Sequence, residues 1–290
     1  HDFEVRETQS ALGGLHRQVF DKNGERYELQ EVFDAFMRFG GMPGIADVGL
    51  DQEKALTLLD GIYSTVVVRD ILEREKRRGQ RQITDPVLLR KIILFLADNI
   101  GSSVSISSIG NTLMNEGLLE DGNRKGTPSV HTVQAYVNAL MESYFFYEIK
   151  RFDIKGKEYL RTLGKYYIVD IGLRNYLLGF RNRDSGHAIE NIVYFELLRR
   201  GYDVAIDNAE VDFIAASADD KKYIQVTESM QSEDVRKREL APLQKIRDNY
   251  EKIVLSLDPG LDNSYDGIKS ERLIDWLSKQ CVFSLDGINF

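Results

Sequence analysis

The residues best suited to chemistry lie in the last third of the chain. Glu190 falls in a segment with helical spacing, Ser185 to Arg200, and Asp212 in a strand-like run, Glu210 to Ala216. The next run, Lys222 to Thr227, alternates, and the period of two along a strand brings Tyr223, Gln225 and Thr227 to one face. Carboxylates are hard oxygen ligands for Mg²⁺, and a metal-dependent nuclease sets them beside a Lys that steadies the attacking water or the leaving group. Gln225 and Thr227 are both neutral, so this strand adds neither a second acid nor a Lys. A neutral amide weakens a divalent site that depends on charge, and a hydroxyl cannot replace an ammonium. Glu228 points to the opposite face of a regular strand. Glu190, Asp212 and Gln225 are the candidate catalytic residues, with Glu190 and Asp212 as the ligands of Mg²⁺ or Mn²⁺ if the site is active. A degenerate site used for binding or assembly is the leading expectation.

Other chemistries are poorly provided for. Cys281 is the single cysteine in 290 residues, which excludes an intramolecular disulfide framework and a multi-Cys zinc site. It reads as a semi-buried thiol. His1, His16, His131 and His187 show no metal-ligand spacing. No Gly-x-x-x-x-Gly-Lys-[Ser/Thr] loop occurs, so no cofactor is expected in this chain and ATP is not held by that route. With 38 Lys and Arg against 46 Asp and Glu, the formal net charge is −8. That balance disfavours a surface that grips nucleic acid throughout, but it allows a basic patch on an acidic body. No run approaches the roughly 18 apolar residues of a membrane span. The charged opening argues against a signal peptide, so a soluble, cytoplasmic protein with no membrane partner is expected. The chain opens His1-Asp2-Phe3-Glu4 without an initiator Met, which reads as a piece of something longer.

These residues need a scaffold, and the length allows about two domains. Residues 1 to 28 are polar and weakly periodic, with a turn signal at Asp21-Lys22-Asn23-Gly24. A helix over Glu31 to Phe39 stops at Gly40-Gly41-Met42-Pro43-Gly44, and a second runs from about Asp51 to Arg78, its charged end a solvated face. Asp85-Pro86 opens a helix to Asn99, and a shorter helix follows over Ser105 to Glu116. Ser129 caps a third, whose outer face carries His131, Thr132, Gln134 and Asn138. Strands over Tyr144 to Ile149 and Glu158 to Val169 then flank a turn at Gly156. Beyond Arg200, strands at Tyr202 to Ile206, Glu210 to Ala216, Lys222 to Thr227 and Lys252 to Leu257 alternate with helices from Asp234 to Tyr250 and from Ser270 to Lys279.

Helix, short helix, turn, helix and β-hairpin is the order of a winged helix-turn-helix, in which the last helix enters a major groove and the hairpin leans on the backbone. Between Lys150 and Lys165 six basic residues (Lys150, Arg151, Lys155, Lys157, Arg161, Lys165) face two acids, a local excess of four positive charges. Lys150, Arg151, Lys155 and Lys157 are the candidate phosphate contacts, and Thr132 and Gln134 the candidate groove contacts. The helix has no Arg or Lys to read guanine. Weak, non-sequence-specific DNA contact is therefore expected, with docking of an acidic protein partner as the alternative.

Two resemblances sharpen the picture. Glu190, Asp212 and the Gln225-x-Thr227 strand resemble the restriction-endonuclease-like, or PD-(D/E)xK, fold with two departures at its strand motif. From Val32 to Lys279 the chain also resembles the C-terminal portion of a prokaryotic family of AAA-type ATPases, in which an ATPase domain precedes a winged helix and a restriction-endonuclease-like domain of unknown function. The markers are Phe39 to Gly44, Tyr63 with Val68-Arg69-Asp70-Ile71, Lys165-Tyr166-Tyr167, Asp170-Ile171-Gly172-Leu173, Gly186 with Glu190-Asn191, Val211-Asp212-Phe213, Ile224-Gln225-Val226, Arg238-Glu239-Leu240 and Asp248-Asn249-Tyr250. The resemblance implies an upstream phosphate loop binding ATP with Mg²⁺, and a chain that starts just past that domain. A Gln at position 225 is common in the family.

The expected architecture is α+β: connecting helices over 1–84, a winged helix-turn-helix over 85–180, and a restriction-endonuclease-like α/β domain over 181–290. The expected function is a non-catalytic DNA-binding and assembly region of an AAA-type ATPase, its partners being DNA, its own upstream ATPase domain and further copies of itself. A Mg²⁺- or Mn²⁺-dependent nuclease using Glu190 and Asp212, with a Gln225 carbonyl, is the rival.

Overall fold

The computed structural model describes residues 3–9, 15–21, 23–48, 51–77, 83–115, 128–153, 158–181, 184–207, 211–260 and 264–279. Helices and strands are mixed, an α+β architecture. The chain divides into two compact units. The first comprises His1–Phe33, Val193–Val204 and Ala209–Phe290; the second comprises Asp34–Ile192 and Ala205–Asn208.

The first unit opens with an antiparallel meander of β1 (Phe3–Gln9), β2 (Leu15–Asp21) and β3 (Arg26–Glu28). The sequence shows no strand here because charged residues interrupt the alternation. The strands are set by their pairing, in which Val5 lies opposite Val19 in register. The turn signal acts as expected. Asp21 Oδ1 accepts from Asn23 N at 2.9 Å and Glu25 N at 2.8 Å, and Gly24 takes φ 82°.

Helix α1 (Leu29–Phe39) leads into the second unit, followed by α2 (Gln52–Ile62), whose cap Asp51 accepts from Lys54 N at 3.1 Å. The sequence predicts one helix from 51 to 78. The structure instead places a π-helical turn at Tyr63–Arg69 between α2 and α3 (Asp70–Arg77). Ser64 and Thr65 hydroxyls donate to the carbonyls of Asp60 and Gly61, which competes with the regular ladder just before three consecutive valines. The charged end of this segment is not simply solvated: Arg74 donates to Ala139 O at 3.2 Å and Glu142 O at 3.3 Å.

Helix α4 (Pro86–Asp98) starts as the sequence dictates. Asp85 Oδ1 accepts from Val87 N and Leu88 N at 2.9 and 3.1 Å, and Pro86 loses nothing at a position whose N–H would have no helical partner. It buries Leu89, Ile92, Ile93 and Leu96 against the rest of the unit. Strand β4 (Ser103–Val104), α5 (Ile106–Asn115) and α6 (Val130–Glu142) follow, with α4, α5 and α6 in mutual contact. Arg74 therefore satisfies carbonyls in the last turn of α6. Then β5 (Phe146–Asp153) and β6 (Glu158–Ile168) pair antiparallel, and β4 adds to the other side of β6 through Ser103↔Lys165 and Val104↔Gly164. The register of the hairpin jumps between Lys150↔Gly164 and Arg151↔Leu160, a bulge on β6.

Helix α7 (Ile171–Leu178), not evident in the sequence, ties this unit together. Its cap Asp170 accepts from Leu173 N at 3.1 Å and, through its other oxygen, from Gly41 N at 2.8 Å. Asn175 Nδ2 donates to the carbonyls of Met37 and Arg38 at 2.8 and 2.9 Å. The glycines at this junction are sterically required. A Cβ on Gly40, at φ 76°, would stand 2.1 Å from Asp170 Oδ1, and one on Gly172 would stand 2.0 Å from the Phe39 carbonyl oxygen. Buried Arg174 completes the junction, donating to Ala97 O and to Asp184, each at 2.9 Å.

Helix α8 (Ser185–Arg199) and β7 (Asp203–Asp207) come next, the end of β7 running parallel to β5 at Arg151↔Ile206. The first unit resumes with β8 (Phe213–Ala216), β9 (Lys221–Thr227), α9 (Glu233–Gln244), β10 (Glu251–Ser256), β11 (Ser264–Tyr265), β12 (Ile268–Arg272) and α10 (Leu273–Ser278). Its strands lie in the order β11-β12-β10-β9-β8, with β9, β10 and β12 parallel. Two expected helices are shorter than the sequence implies. The one from Asp234 ends at Gln244, soon after the internal Pro242. The one from Ser270 begins at Leu273, because Lys269 to Arg272 pair with β10.

Candidate functional site

The sequence singles out Glu190 on α8, and α8 brings it against β6. Glu190 Oε1 accepts from Lys165 Nζ at 2.7 Å and from the Tyr167 hydroxyl at 2.5 Å. His187 Nδ1 lies 4.0 Å from Glu190 Oε2. Gly101 packs so closely that a Cβ there would stand 3.1 Å from both Glu190 Oε2 and His187 Nδ1. The next residue, Asn191, pairs with β6 as a strand would: its amide accepts from Ile168 N and donates to Ile168 O, each at 2.9 Å. Markers far apart in sequence, Lys165-Tyr166-Tyr167 and Glu190-Asn191, thus form one buried join.

The other two candidates lie in the first unit. Asp212 precedes β8 and accepts from Val226 N of β9 at 2.9 Å. Gln225, buried on β9, donates from Nε2 to Glu239 Oε2 of α9 at 3.1 Å, and Glu239 is also bound by Arg238 at 2.8 and 3.0 Å. Glu239 was not a candidate from the sequence. It sits in the Arg238-Glu239-Leu240 marker, but only the packing of α9 on β9 reveals its partner.

These surroundings decide how well a divalent metal is provided for. A metal ligand must offer its lone pairs outward, whereas Glu190 Oε1 already carries an ammonium and a phenol hydroxyl. A cation there would meet the Lys165 charge at hydrogen-bond distance. Glu190 therefore does not fit a Mg²⁺ ligand. Among the described residues no group of three or more His, Cys, Asp or Glu side chains has the geometry to hold a metal ion.

The candidate nucleic-acid contacts divide. Thr132 and Gln134 lie on α6. The Thr132 hydroxyl is 2.9 Å from Ser129 Oγ within the helix cap, and Gln134 donates to Asn138 at 2.8 Å. His131 and Asn138 are exposed beside them. Lys150 and Arg151 flank the bulge in the β5–β6 hairpin. Lys155, Lys157 and the Gly156 turn lie outside the described residues, as does Cys281. No helix among the described residues is long and apolar enough to cross a membrane.

The same packing shifts two ionisable groups. Burial pushes the Asp170 carboxyl above its ordinary value of 3.8, while donated N–H bonds from Gly41 and Leu173 pull the other way. The hydrogen bond to Asp60 is the main cause that pushes Tyr176 up to about 12.

Comparison with known proteins adds kinship without chemistry. The chain is 36% identical over 252 residues to an uncharacterized protein of Haemophilus influenzae, a match covering 86% of this chain and 58% of that protein. It is 30% identical over 231 residues to the uncharacterized protein MJ1544 of Methanocaldococcus jannaschii, covering 76% of this chain and 47% of that protein. The chain thus spans about half the length of the curated relatives it matches. No solved structure matches it. The family described as Domain of unknown function (DUF8612) matches residues 30–184. That span holds the capped loop at Gly40, the α4–α6 helices and the β5–β6 hairpin, and covers more than half of the 290 residues, so the chain belongs to this family.

Proposed function

We propose that the chain is a non-catalytic DNA-binding and assembly region of a larger protein, built on a winged helix-turn-helix over α4 to β6 and a degenerate restriction-endonuclease-like fold over 181–290. The observation that carries the proposal is the join of α4, α5 and α6 with a hairpin whose β6 strand also takes up β4. In that order α6 is the helix offered to a groove and the hairpin the part that follows the phosphates. Lys150, Arg151, Lys155 and Lys157 supply charge, and Thr132, Gln134, His131 and Asn138 a neutral, polar helix face. With no guanidinium on α6, binding is weak and indifferent to sequence. The engagement of Glu190 by Lys165 and Tyr167 supports the non-catalytic half of the reading. The length of the relatives is in keeping with a further domain, which the AAA-type resemblance assigns to ATP with Mg²⁺.

The test is fluorescence anisotropy on a short duplex. If the four basic residues each neutralise one phosphate, affinity drops about 100-fold between roughly 50 and 200 mM salt. Lys155→Glu with Lys157→Glu removes most of the binding; unchanged binding by that variant overturns the proposal. Plasmid nicking with Mg²⁺ or Mn²⁺ that disappears in Asp212→Ala would establish the nuclease reading in its place.

A further inference from the structure

The sheet of the first unit carries an unusual face. Register places Gln225, Val254 and Ser270 side by side across β9, β10 and β12, and Thr227, Ser256 and Arg272 side by side one step further along. The period of two puts both rows on one face, and the Gln225–Glu239 bond shows that this is the face under α9. Helix α9 packs on all three strands. A sheet face beneath a helix is normally apolar, yet of the six positions in these two rows only Val254 is apolar. Gln225, Ser256 and Ser270 are 7%, 1% and 8% exposed. Gln225 Oε1, Ser256 Oγ, Ser270 Oγ and Arg272 Nε are buried and have no hydrogen-bond partner among the described residues. A buried polar atom without a partner is expensive, so four on one face call for a ligand. Their place agrees, since ligands of open parallel sheets gather at the carboxyl ends of the strands, where Ser256, Thr227 and Arg272 lie.

We propose that this face binds inorganic phosphate. Ser256 is the diagonal neighbour of both Gln225 and Ser270, and diagonal neighbours stand about 7–8 Å apart, a gap that a tetrahedral oxyanion bridges with hydrogen bonds. The polar set offers three donors, the two Ser hydroxyls and Arg272 Nε, and one obligate acceptor, Gln225 Oε1. Near neutral pH inorganic phosphate has the complementary set, acceptor oxygens with one O–H. Sulfate and a fully ionised phosphomonoester have no O–H and leave Gln225 Oε1 unpaired. Arg272 also donates to Gln30 at 2.6 Å, which fixes the guanidinium at the edge of the sheet. The acids nearby are already engaged: Glu239 by Gln225 and Arg238, and Asp258 by Ser229, Met230 N and Gln231.

Isothermal titration of the 290-residue chain tests this with phosphate, sulfate and methyl phosphate as probes at pH 7.5. Phosphate binding at millimolar concentration or below is expected, with sulfate about 10- to 100-fold weaker because one buried acceptor stays unpaired. Methyl phosphate behaves like sulfate at pH 7.5 and improves below pH 6 as its ester takes up a proton; equal binding of the ester at pH 7.5 overturns the O–H argument. Ser256→Ala and Ser270→Ala fold normally, as circular dichroism checks, and each weakens phosphate about 10-fold. Equal binding of sulfate and phosphate, heats unchanged in both Ala variants, or no heat with any probe overturns the proposal and leaves the face to ordered water.

Discussion

At the scale of the residue, Glu190 shows how environment assigns a role. A helix Glu opposite a strand Asp reads as a metal ligand in sequence, yet Lys165 and Tyr167 make it one end of a buried ion pair. Removing one partner strands the other's charge. Glu190→Ala is therefore expected to cost about 3 kcal/mol or more of stability. Pairing Glu190→Leu with Lys165→Met returns most of it, as urea unfolding would read. Asp170 makes a second residue-scale prediction. Its carboxyl is held above the ordinary value by burial, so the folded chain keeps that proton to higher pH than the unfolded chain does. Its contribution is fully present below the unfolded value near 3.8 and fades as pH rises through the raised folded value. The stability gap between wild type and Asp170→Asn should accordingly narrow as pH climbs from about 3 toward neutrality. A gap that widens would mean that the N–H bonds from Gly41 and Leu173 outweigh burial.

At the scale of the element, the junction of α1 and α7 depends on two glycines that no larger residue replaces. Gly172→Ala drives a methyl into the Phe39 carbonyl, and Gly40→Ala meets Asp170 and also strains a backbone at φ 76°. Each should lower stability by about 2–3 kcal/mol, measured by chemical denaturation. Local signals of this sort were legible in the sequence: the Asp85-Pro86 cap, the Asp21 to Gly24 turn and the stop at Gly40 are set by neighbours in the chain. Elements set by distant partners were not. The β1–β3 meander exists because residues 3–9 pair with residues 15–21, β12 because Lys269 to Arg272 meet β10, and α7 because Asp170 and Asn175 reach back to residues 37–41. The candidate site was legible as residue types only, since nothing local in sequence tells that Lys165 neutralises Glu190 or that Gln225 faces Glu239.

At the scale of the whole molecule, charge is unevenly spread: within a chain of net −8, the stretch from Lys150 to Lys165 carries a local excess of four positive charges. A polyanion held there is bound by charge against the acidity of the whole chain, so its affinity should fall steeply with salt. The dual service of Asp170 has a consequence for how the chain must be handled. One of its oxygens holds the Gly41 amide, 129 residues back in the chain, and the other the amide of Leu173. Contacts of such separation form late and together, so residues near 40 and near 170 should gain and lose order in one cooperative step. A piece cut at residue 85 would keep Asp170 and Asn175 but discard the Gly41 amide and the Met37 and Arg38 carbonyls that they bind. The smallest stretch able to fold by itself must therefore reach back to α1, which is also where the family match at residue 30 begins.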